Sequence, residues 1–205
     1  MPTLNQRMTS EERRAAIMGA GERLFAERGF RGTTTRALAD AVGVSEPVLY
    51  EHFNSKRDLY AAIVGAKSRE GLTIGTALLE PYAKARDDRG FFTCLGEFIL
   101  DQYTGDPAYI RLLLFVALED PDLAALFHEH QREGRECLSH YIRQRMEEGA
   151  FRPVDPPLAA RAFMGMIFHH AQACLLFPDD FVKGSRKEVV AGMVDIFLRG
   201  ILPAR

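Results

Sequence analysis

Apolar residues recur along this chain at the spacing of one helix face, and no stretch alternates apolar and polar residues for long enough to predict a strand. In the first helix Ile17, Ala20 and Leu24 share one apolar stripe, and the helix is predicted to end at Gly29. The pattern predicts an all-α protein of about nine helices. Three short helices precede Asn54, and the later ones are predicted at about 55–80, 89–104, 107–117, 121–148, 156–176 and 185–202.

Capping residues mark where these helices start. Thr9 and Glu12 have the spacing of a capping box, and Ser45 precedes a proline in the first turn of the third helix. Aspartates directly before Pro107, Pro121 and Pro156 place a capping carboxylate ahead of a helix-starting proline.

Composition narrows the class of protein without identifying it. The chain has 205 residues, of which 47% are hydrophobic and 26% are charged, as in an ordinary globular protein. It has no apolar stretch of the roughly 18–20 residues that span a bilayer and no signal peptide. We therefore expect a cytoplasmic protein with no membrane partner. The net charge of −2 does not indicate a nucleic-acid partner.

The cysteines and histidines do not form a recognisable metal or catalytic pattern. The three cysteines, Cys94, Cys137 and Cys174, lie far apart without metal or redox spacing. We expect them to be small, buried groups in the reduced thiol form. His128 and His130 point about 200° apart around a helix, and His169 and His170 also diverge. An enzyme is the main alternative class, but no triad, nucleophile elbow or phosphate loop is present. We expect no enzyme activity, no cofactor and no metal ion.

The second and third helices are short and joined by Gly43-Val44, which is typical of a helix-turn-helix. The turn of the third helix that would enter the major groove begins at Ser45. Hydroxyls at 33–35 and Lys56 are placed to contact phosphate. From these residues alone, DNA contact and an ordinary solvated surface both remain open.

The N-terminal motifs resemble one known family. They are the run from Leu24 to Thr35, followed by Leu38-Ala39, Gly43-Val44-Ser45, Leu49-Tyr50-Glu51-His52-Phe53, Ser55-Lys56 and Leu59. Together they resemble the N-terminal module of the tetracycline-repressor (TetR) family. The resemblance implies a DNA-binding domain over 1–58 and a ligand-binding and dimerisation domain over 59–205.

The resemblance also implies which residues contact DNA. The positions that would read bases are Thr34, Ser45, Glu46, Pro47 and Val48. The positions that would contact phosphate are Thr35, Tyr50, His52 and Lys56, to which the hydroxyl cluster adds Thr33. Glu46 and the glycine pair of the first helix need explanation. The Glu46 carboxylate would repel phosphate, yet it can accept a hydrogen bond from a cytosine amino group. Gly19 and Gly21 each cost roughly 1 kcal/mol in a helix interior, and close packing is one explanation.

The last two helices are apolar on more faces than one core can cover, which predicts a homodimer joined by a four-helix interface. A thick monomeric core is the alternative. The residues predicted for the interface are Phe163, Met166, Ile167, His170, Val190, Met193, Val194 and Phe197. A dimer would hold two recognition helices roughly 34 Å apart on a palindromic operator.

Aromatic residues concentrate in the middle helices and favour an apolar or aromatic ligand, although core packing explains any single one. The predicted pocket residues are Phe92, Phe98, Tyr103, Phe115, Phe127, Met164 and Phe168, and the polar residues that could orient a ligand are His169, His170 and Gln172. The expected function is a repressor that binds operator DNA at the nucleoid and is released by a small-molecule effector. Activation of transcription, or response to a protein partner, remains an alternative.

Overall fold

The computed structural model describes residues 8–105, 113, 121–177 and 184–202, apart from the side chains at 126, 127 and 130. Every regular element within these residues is an α-helix, so the predicted all-α class is confirmed. The helices are α1 (Ser10–Gly32), α2 (Thr35–Val42), α3 (Glu46–His52), α4 (Lys56–Ala85), α5 (Asp88–Gly105), α6 (Pro121–Glu147), α7 (Pro156–Leu176) and α8 (Arg186–Ile201). The helix predicted at 107–117 lies outside the described residues, apart from Leu113.

Side-chain caps define several helix starts. The Thr9 hydroxyl accepts from the Glu12 N–H at 3.2 Å, and the Glu12 carboxylate accepts from the Thr9 N–H at 2.7 Å, which completes the predicted capping box. A second box joins Ser185 and Glu188 at the start of α8. Asp155 accepts from the Leu158 N–H at 3.0 Å and so caps α7 as its sequence predicts.

The described residues fall into two compact units, one within 1–67 and 111–128 and the other within 68–110 and 129–205. The predicted domain boundary after residue 58 falls in the first turn of α4, which continues to Ala85. The division into domains at 1–58 and 59–205 therefore stays a prediction. None of the described helices combines the length and the apolarity that crossing a membrane requires.

The core of the first unit joins α1 to the three helices that follow it. Phe25 and Tyr60 are fully buried, and their rings lie 6.1 Å apart. Gly21 explains one of the two glycines in α1, because an added Cβ would lie 3.0 Å from side-chain atoms of Leu59 and Ile63. A larger residue there would push α1 away from α4. Gly19 has no such neighbour, since only Arg23 comes within 4 Å, at 3.9 Å.

The core of the second unit is an aromatic cluster between α5, α7 and α8. The Phe92 ring lies 4.9 Å from Phe163 and 4.9 Å from Phe197, and those two rings are 5.1 Å apart. The helices also approach closely at Gly96, where an added Cβ would lie 2.9 Å from Val190. The inner faces of α7 and α8 are therefore covered by α5 of the same chain.

An ion pair inside the second unit joins the start of α5 to α6. The Arg145 guanidinium donates from Nε and Nη2 to both oxygens of Asp88 at 2.8 and 3.0 Å, and the Tyr141 hydroxyl donates to Asp88 at 2.7 Å. Arg145 also pairs with Glu148. Burial and the hydrogen bond to Asp88 raise the pKa of the Tyr141 phenol, and the Asp88 bonds raise the pKa of Arg145. Both donors therefore keep their protons.

The predicted dimer residues need correction. Six of the eight are buried in the single chain, namely Phe163, Ile167, His170, Val190, Val194 and Phe197. Since their side chains are already covered, they are not available to a second chain. Burial also lowers the pKa of His170. Met166 and Met193 remain half-buried.

A different face of α7 and α8 is exposed. Leu158 is 52% exposed, and exposed residues follow it at helical spacing, namely Ala162, Gly165, His169 and Leu176. On α8, Ile196 is 68% exposed. We call these six residues the exposed α7/α8 face. Three of the six, Leu158, Leu176 and Ile196, carry large apolar side chains with more than half of their surface exposed.

Candidate nucleic-acid interface

The turn between α2 and α3 depends on Gly43. Its backbone is left-handed, with φ 72° and ψ 35°, and its N–H donates to carbonyls at the end of α2. The Val44 N–H bonds to the Ala39 carbonyl at 3.0 Å, which closes the helix end. An added Cβ at Gly43 would meet nothing within 4 Å, so this position requires glycine for its conformation and not for space.

Helix α3 has one anchored side and one exposed side. Leu49 is fully buried and Phe53, directly after the helix, is 3% exposed. Leu38 and Ala39 of α2 are also buried, so the interior of the predicted helix-turn-helix is confirmed. The exposed positions of α3 and its cap are Ser45, Pro47, Tyr50 and Glu51, whereas Glu46, Val48 and His52 are half-buried.

The first turns of α2 and α3 meet. Thr34 caps α2, where its hydroxyl accepts from the Ala37 N–H at 3.1 Å. The Thr35 hydroxyl donates to Oε2 of Glu46 at 2.7 Å. Ser45 occupies the cap position of α3 without a side-chain cap bond, so the cap does not use its hydroxyl. Three of the predicted base-reading residues and one predicted phosphate contact are therefore brought together.

The structure corrects the prediction for Thr33. Its side chain is fully buried, and its hydroxyl lies 3.0 Å from the Leu24 carbonyl and 2.9 Å from the Gly29 carbonyl, to which it donates. A buried hydroxyl engaged by two carbonyls cannot reach a phosphate. Thr33 instead supports the kink in α1 at Gly29, whose φ is 71°.

Lys56 is also turned inward. Its Nζ donates to the carbonyls of Phe30 and Thr33 at 2.6 and 2.8 Å and lies 4.3 Å from the centre of the Phe30 ring. These carbonyls lie at the end of α1, where a helix leaves its last acceptors unsatisfied. The structure therefore gives Lys56 a structural role, as an internal link between α4 and the turn before α2, that its predicted phosphate contact did not include.

Sequence reasoning missed two arginines. Arg14 of α1 donates to the His52 carbonyl at 2.6 Å and lies 4.1 Å over the Phe53 ring, so it secures the end of α3. These residues are 38 positions apart, and no local pattern connects them. Arg36 follows Thr35, and its side chain is 83% exposed, which makes it a candidate phosphate contact. In the sequence, the positive charge of Arg36 directly after the hydroxyl residues 33–35 was the feature that indicated such a contact.

The structure describes the side chains of five of the seven predicted ligand-pocket residues. Phe92 belongs to the buried core cluster, which corrects its assignment to a pocket. The ring of Phe98 lies over Gly75. The rings of Tyr103 and Phe168 meet at 4.9 Å and are half-buried. The remaining residues are Met164, which is half-buried, and Phe115 and Phe127, whose side chains lie outside the described residues.

The paired short helices, the glycine turn and the exposed face of α3 define a helix-turn-helix regulator of transcription. The family model described as bacterial regulatory proteins, tetR family, matches residues 17–63. A second model, the C-terminal domain of AefR-like transcriptional repressors, matches residues 98–200. The chain belongs to the TetR family, whose members are DNA-binding transcriptional regulators and not enzymes.

Individual relatives agree with this membership. The transcriptional repressor AcnR of Corynebacterium diphtheriae is 36% identical over 159 residues, which cover 76% of this chain and 77% of AcnR. Some other relatives match over only 26% of their own length. Among solved structures, the fatty acid degradation regulator FadR of Bacillus halodurans has a TM-score of 0.79 at 18% identity, covering 92% of this chain and 95% of FadR.

A further solved structure of similar fold contains a small molecule together with operator DNA. AibR in complex with isovaleryl coenzyme A and operator DNA has a TM-score of 0.64 at 22% identity, covering 90% of this chain and 97% of AibR. At this identity the likeness is one of fold. Among the described side chains of the present chain, no three histidine, cysteine or carboxylate groups are placed to share a metal ion.

Proposed function

We propose that this chain is a homodimeric repressor that binds a palindromic operator at the nucleoid and leaves it when a small apolar or aromatic effector binds the second unit. The observation that carries the DNA half is the construction of α3. Its exposed side stands over buried Leu49 and Phe53, and Arg14 holds its last turn. A recognition element secured on one side can present the other to the major groove without being reordered on binding.

The proposed contacts follow from the exposed side. Bases are contacted from Thr34 and from the first turn of α3, which comprises Ser45, Glu46, Pro47 and Val48. Phosphates are contacted by Tyr50, which is 46% exposed, by His52 and by Arg36. Thr33 and Lys56 act behind this surface and do not belong to it.

We propose that the exposed α7/α8 face forms the homodimer. Leu158 and Ile196 are large apolar side chains with more than half of their surface open to water. The exposed Ala162 and Gly165 follow Leu158 along α7, and residues this small would let a second helix approach closely. Covering this face removes apolar surface from water, which is the main driving force of stable association.

Fewer observations support the proposed class of effector than support DNA binding. Tyr103 and Phe168 form a half-buried aromatic pair, and Met164 lies on the same helix as Phe168. Aromatic and thioether side chains favour an apolar or aromatic ligand. AibR, whose fold is similar, binds isovaleryl coenzyme A in its solved complex. This supports the inclusion of acyl thioesters among the candidate effectors. The repressor AcnR and the repressor model matched at 98–200 support repression as the outcome.

The experiment is a selection of bound fragments from random double-stranded DNA by the purified chain, followed by fluorescence anisotropy on the selected sequence. We expect an inverted repeat, and we expect Tyr50→Ala to weaken binding to all sequences. A panel of apolar carboxylates, aromatic alcohols and acyl-CoA thioesters then tests release. Failure to enrich any sequence would contradict the DNA half. If a sequence is enriched but no compound weakens its binding, the effector half alone fails.

A further inference from the structure

We infer that Glu46 determines operator specificity by reading a cytosine in each half-site, and that Thr35 is the residue that positions it. The inference rests on the proposed function, because it assumes that the first turn of α3 enters the major groove. It concerns the one acidic side chain among the proposed base-reading positions. A carboxylate next to polyanionic DNA weakens binding by charge repulsion, and discrimination between bases is a function that would offset this cost.

The geometry restricts the Glu46 carboxylate. Oε2 accepts from the Thr35 hydroxyl at 2.7 Å, and both side chains are half-buried where the first turns of α2 and α3 meet. A free glutamate has several rotatable bonds and would lose that freedom on binding DNA. The Thr35 bond removes much of it beforehand and leaves Oε1 outside this contact. The carboxylate is thus held at a defined place before DNA arrives.

The same bond changes the role of Thr35. A hydroxyl has one proton to donate, and Thr35 donates it to Glu46. Phosphate oxygens only accept hydrogen bonds, so the Thr35 hydroxyl has no proton left for them while this bond stands. Thr35 is therefore a positioning residue in this chain, and its resemblance-based assignment to a phosphate contact does not hold in this conformation.

Base chemistry then selects the partner. An ionised carboxylate only accepts hydrogen bonds, so it needs a donor on the base edge. In the major groove guanine offers two acceptors and thymine one, and both would repel it. Adenine has an amino donor beside the N7 acceptor, whereas cytosine offers its N4 amino group beside a C5–H. Cytosine is the base that satisfies the carboxylate with least repulsion.

The test compares single-base variants of the selected operator by fluorescence anisotropy at fixed salt. For the wild-type chain we expect one half-site position where replacing cytosine weakens binding about ten- to hundredfold. Glu46→Gln keeps the shape but supplies both a donor and an acceptor, which match adenine. We expect this variant to lose the cytosine preference at that position and to favour adenine, with the other positions unchanged.

Two Thr35 variants test positioning. Thr35→Val keeps the shape without the hydroxyl and should reduce cytosine discrimination at that position several-fold, whereas Thr35→Ser should restore it. Glu27→Gln, which removes an exposed carboxylate from α1, is the matched charge control and should leave the base preference unchanged.

The outcomes separate this inference from the proposed function. If the wild-type chain selects no sequence, both are wrong. If it selects a sequence but Glu46→Gln tightens binding to all four bases alike, Glu46 acts only through its charge and this inference alone is overturned. If Thr35→Val and Thr35→Ser discriminate equally well, Thr35 does not position Glu46.

Discussion

Single basic side chains stabilise the first unit by reaching carbonyls at the ends of distant helices. Lys56 bonds to two carbonyls at the end of α1, and Arg14 bonds to the last carbonyl of α3. These are groups that an α-helix leaves without internal partners and whose partial negative charge attracts a cation. Charges that would otherwise serve DNA binding are thus used to hold the helix-turn-helix together.

Replacing Lys56 tests this structural role. Lys56→Met keeps the length of the side chain but removes two charged hydrogen bonds, and we expect the free energy of unfolding to fall by about 2 kcal/mol. Urea denaturation measures the change. Arg28→Met, which removes an exposed cation from α1, should stay within about 0.5 kcal/mol of wild type.

The salt dependence of DNA binding gives the complementary readout. A phosphate contact contributes roughly one unit to the slope of log affinity against log salt. We expect Lys56→Met to leave that slope unchanged. An unchanged stability together with a reduced slope would show that Lys56 contacts phosphate after all.

At the scale of elements, small residues set how closely helices approach. Gly21 lets α1 lie against the side chains of Leu59 and Ile63 on α4, and Gly96 does the same for α5 against Val190 on α8. The cost of a glycine in a helix is offset by the packing that it permits.

The two glycines of α1 form a matched pair for testing this. Gly21→Val should destabilise the chain by about 1–3 kcal/mol, because its side chain would overlap Leu59 and Ile63. Gly19→Ala should stabilise it by about 0.5–1 kcal/mol, since the space is open and alanine favours the helix. Urea denaturation would refute this account if both variants changed stability in the same direction.

The ion pair between α5 and α6 makes a second element-scale prediction. Asp88→Ala leaves the mostly buried Arg145 guanidinium without its main partner and should cost about 3 kcal/mol. The double variant Asp88→Ala/Arg145→Met removes both charges and should be less destabilised than the sum of the single variants. Thermal and urea denaturation of the complete cycle measure the coupling. Strict additivity would mean that the pair contributes nothing of its own.

At the scale of the whole molecule, the proposed dimer would compensate for a weakly charged DNA-binding region. Residues 1–60 contain nine Lys or Arg and eight Asp or Glu, a net charge of +1. A single copy would therefore gain little from the attraction between protein and phosphate. In the proposed dimer, two joined copies would bind the two half-sites together, so the second contact would be made at high effective concentration.

Charging the exposed α7/α8 face should separate the two copies. Ile196→Glu places a carboxylate where we propose that a second chain packs, and we expect a monomer by light scattering and at least tenfold weaker binding to the palindromic operator. Ala191→Glu adds the same charge to another exposed position of α8 and should remain dimeric. A dimeric Ile196→Glu variant with wild-type affinity would place the interface elsewhere.

Local sequence was sufficient for much of the fold. Helical periodicity predicted the all-α class, the Thr9 and Asp155 caps predicted two helix starts, and Gly43 predicted the turn between α2 and α3. These features depend on residues within a few positions of one another, so their physical causes are visible in the sequence. The DNA-binding function came from a dense local match to one family and not from the net charge.

Only the tertiary structure decided where side chains of ambiguous role point. Thr33 and Lys56 are polar residues beside a proposed DNA surface, yet their partners are carbonyls of the same chain, up to 26 positions away. On α7 and α8 the apolar face predicted for the dimer is instead part of the core, because Phe163 and Phe197 pack against Phe92 of α5. Periodicity shows that a face is apolar, but which surface covers it depends on contacts between residues far apart in the chain.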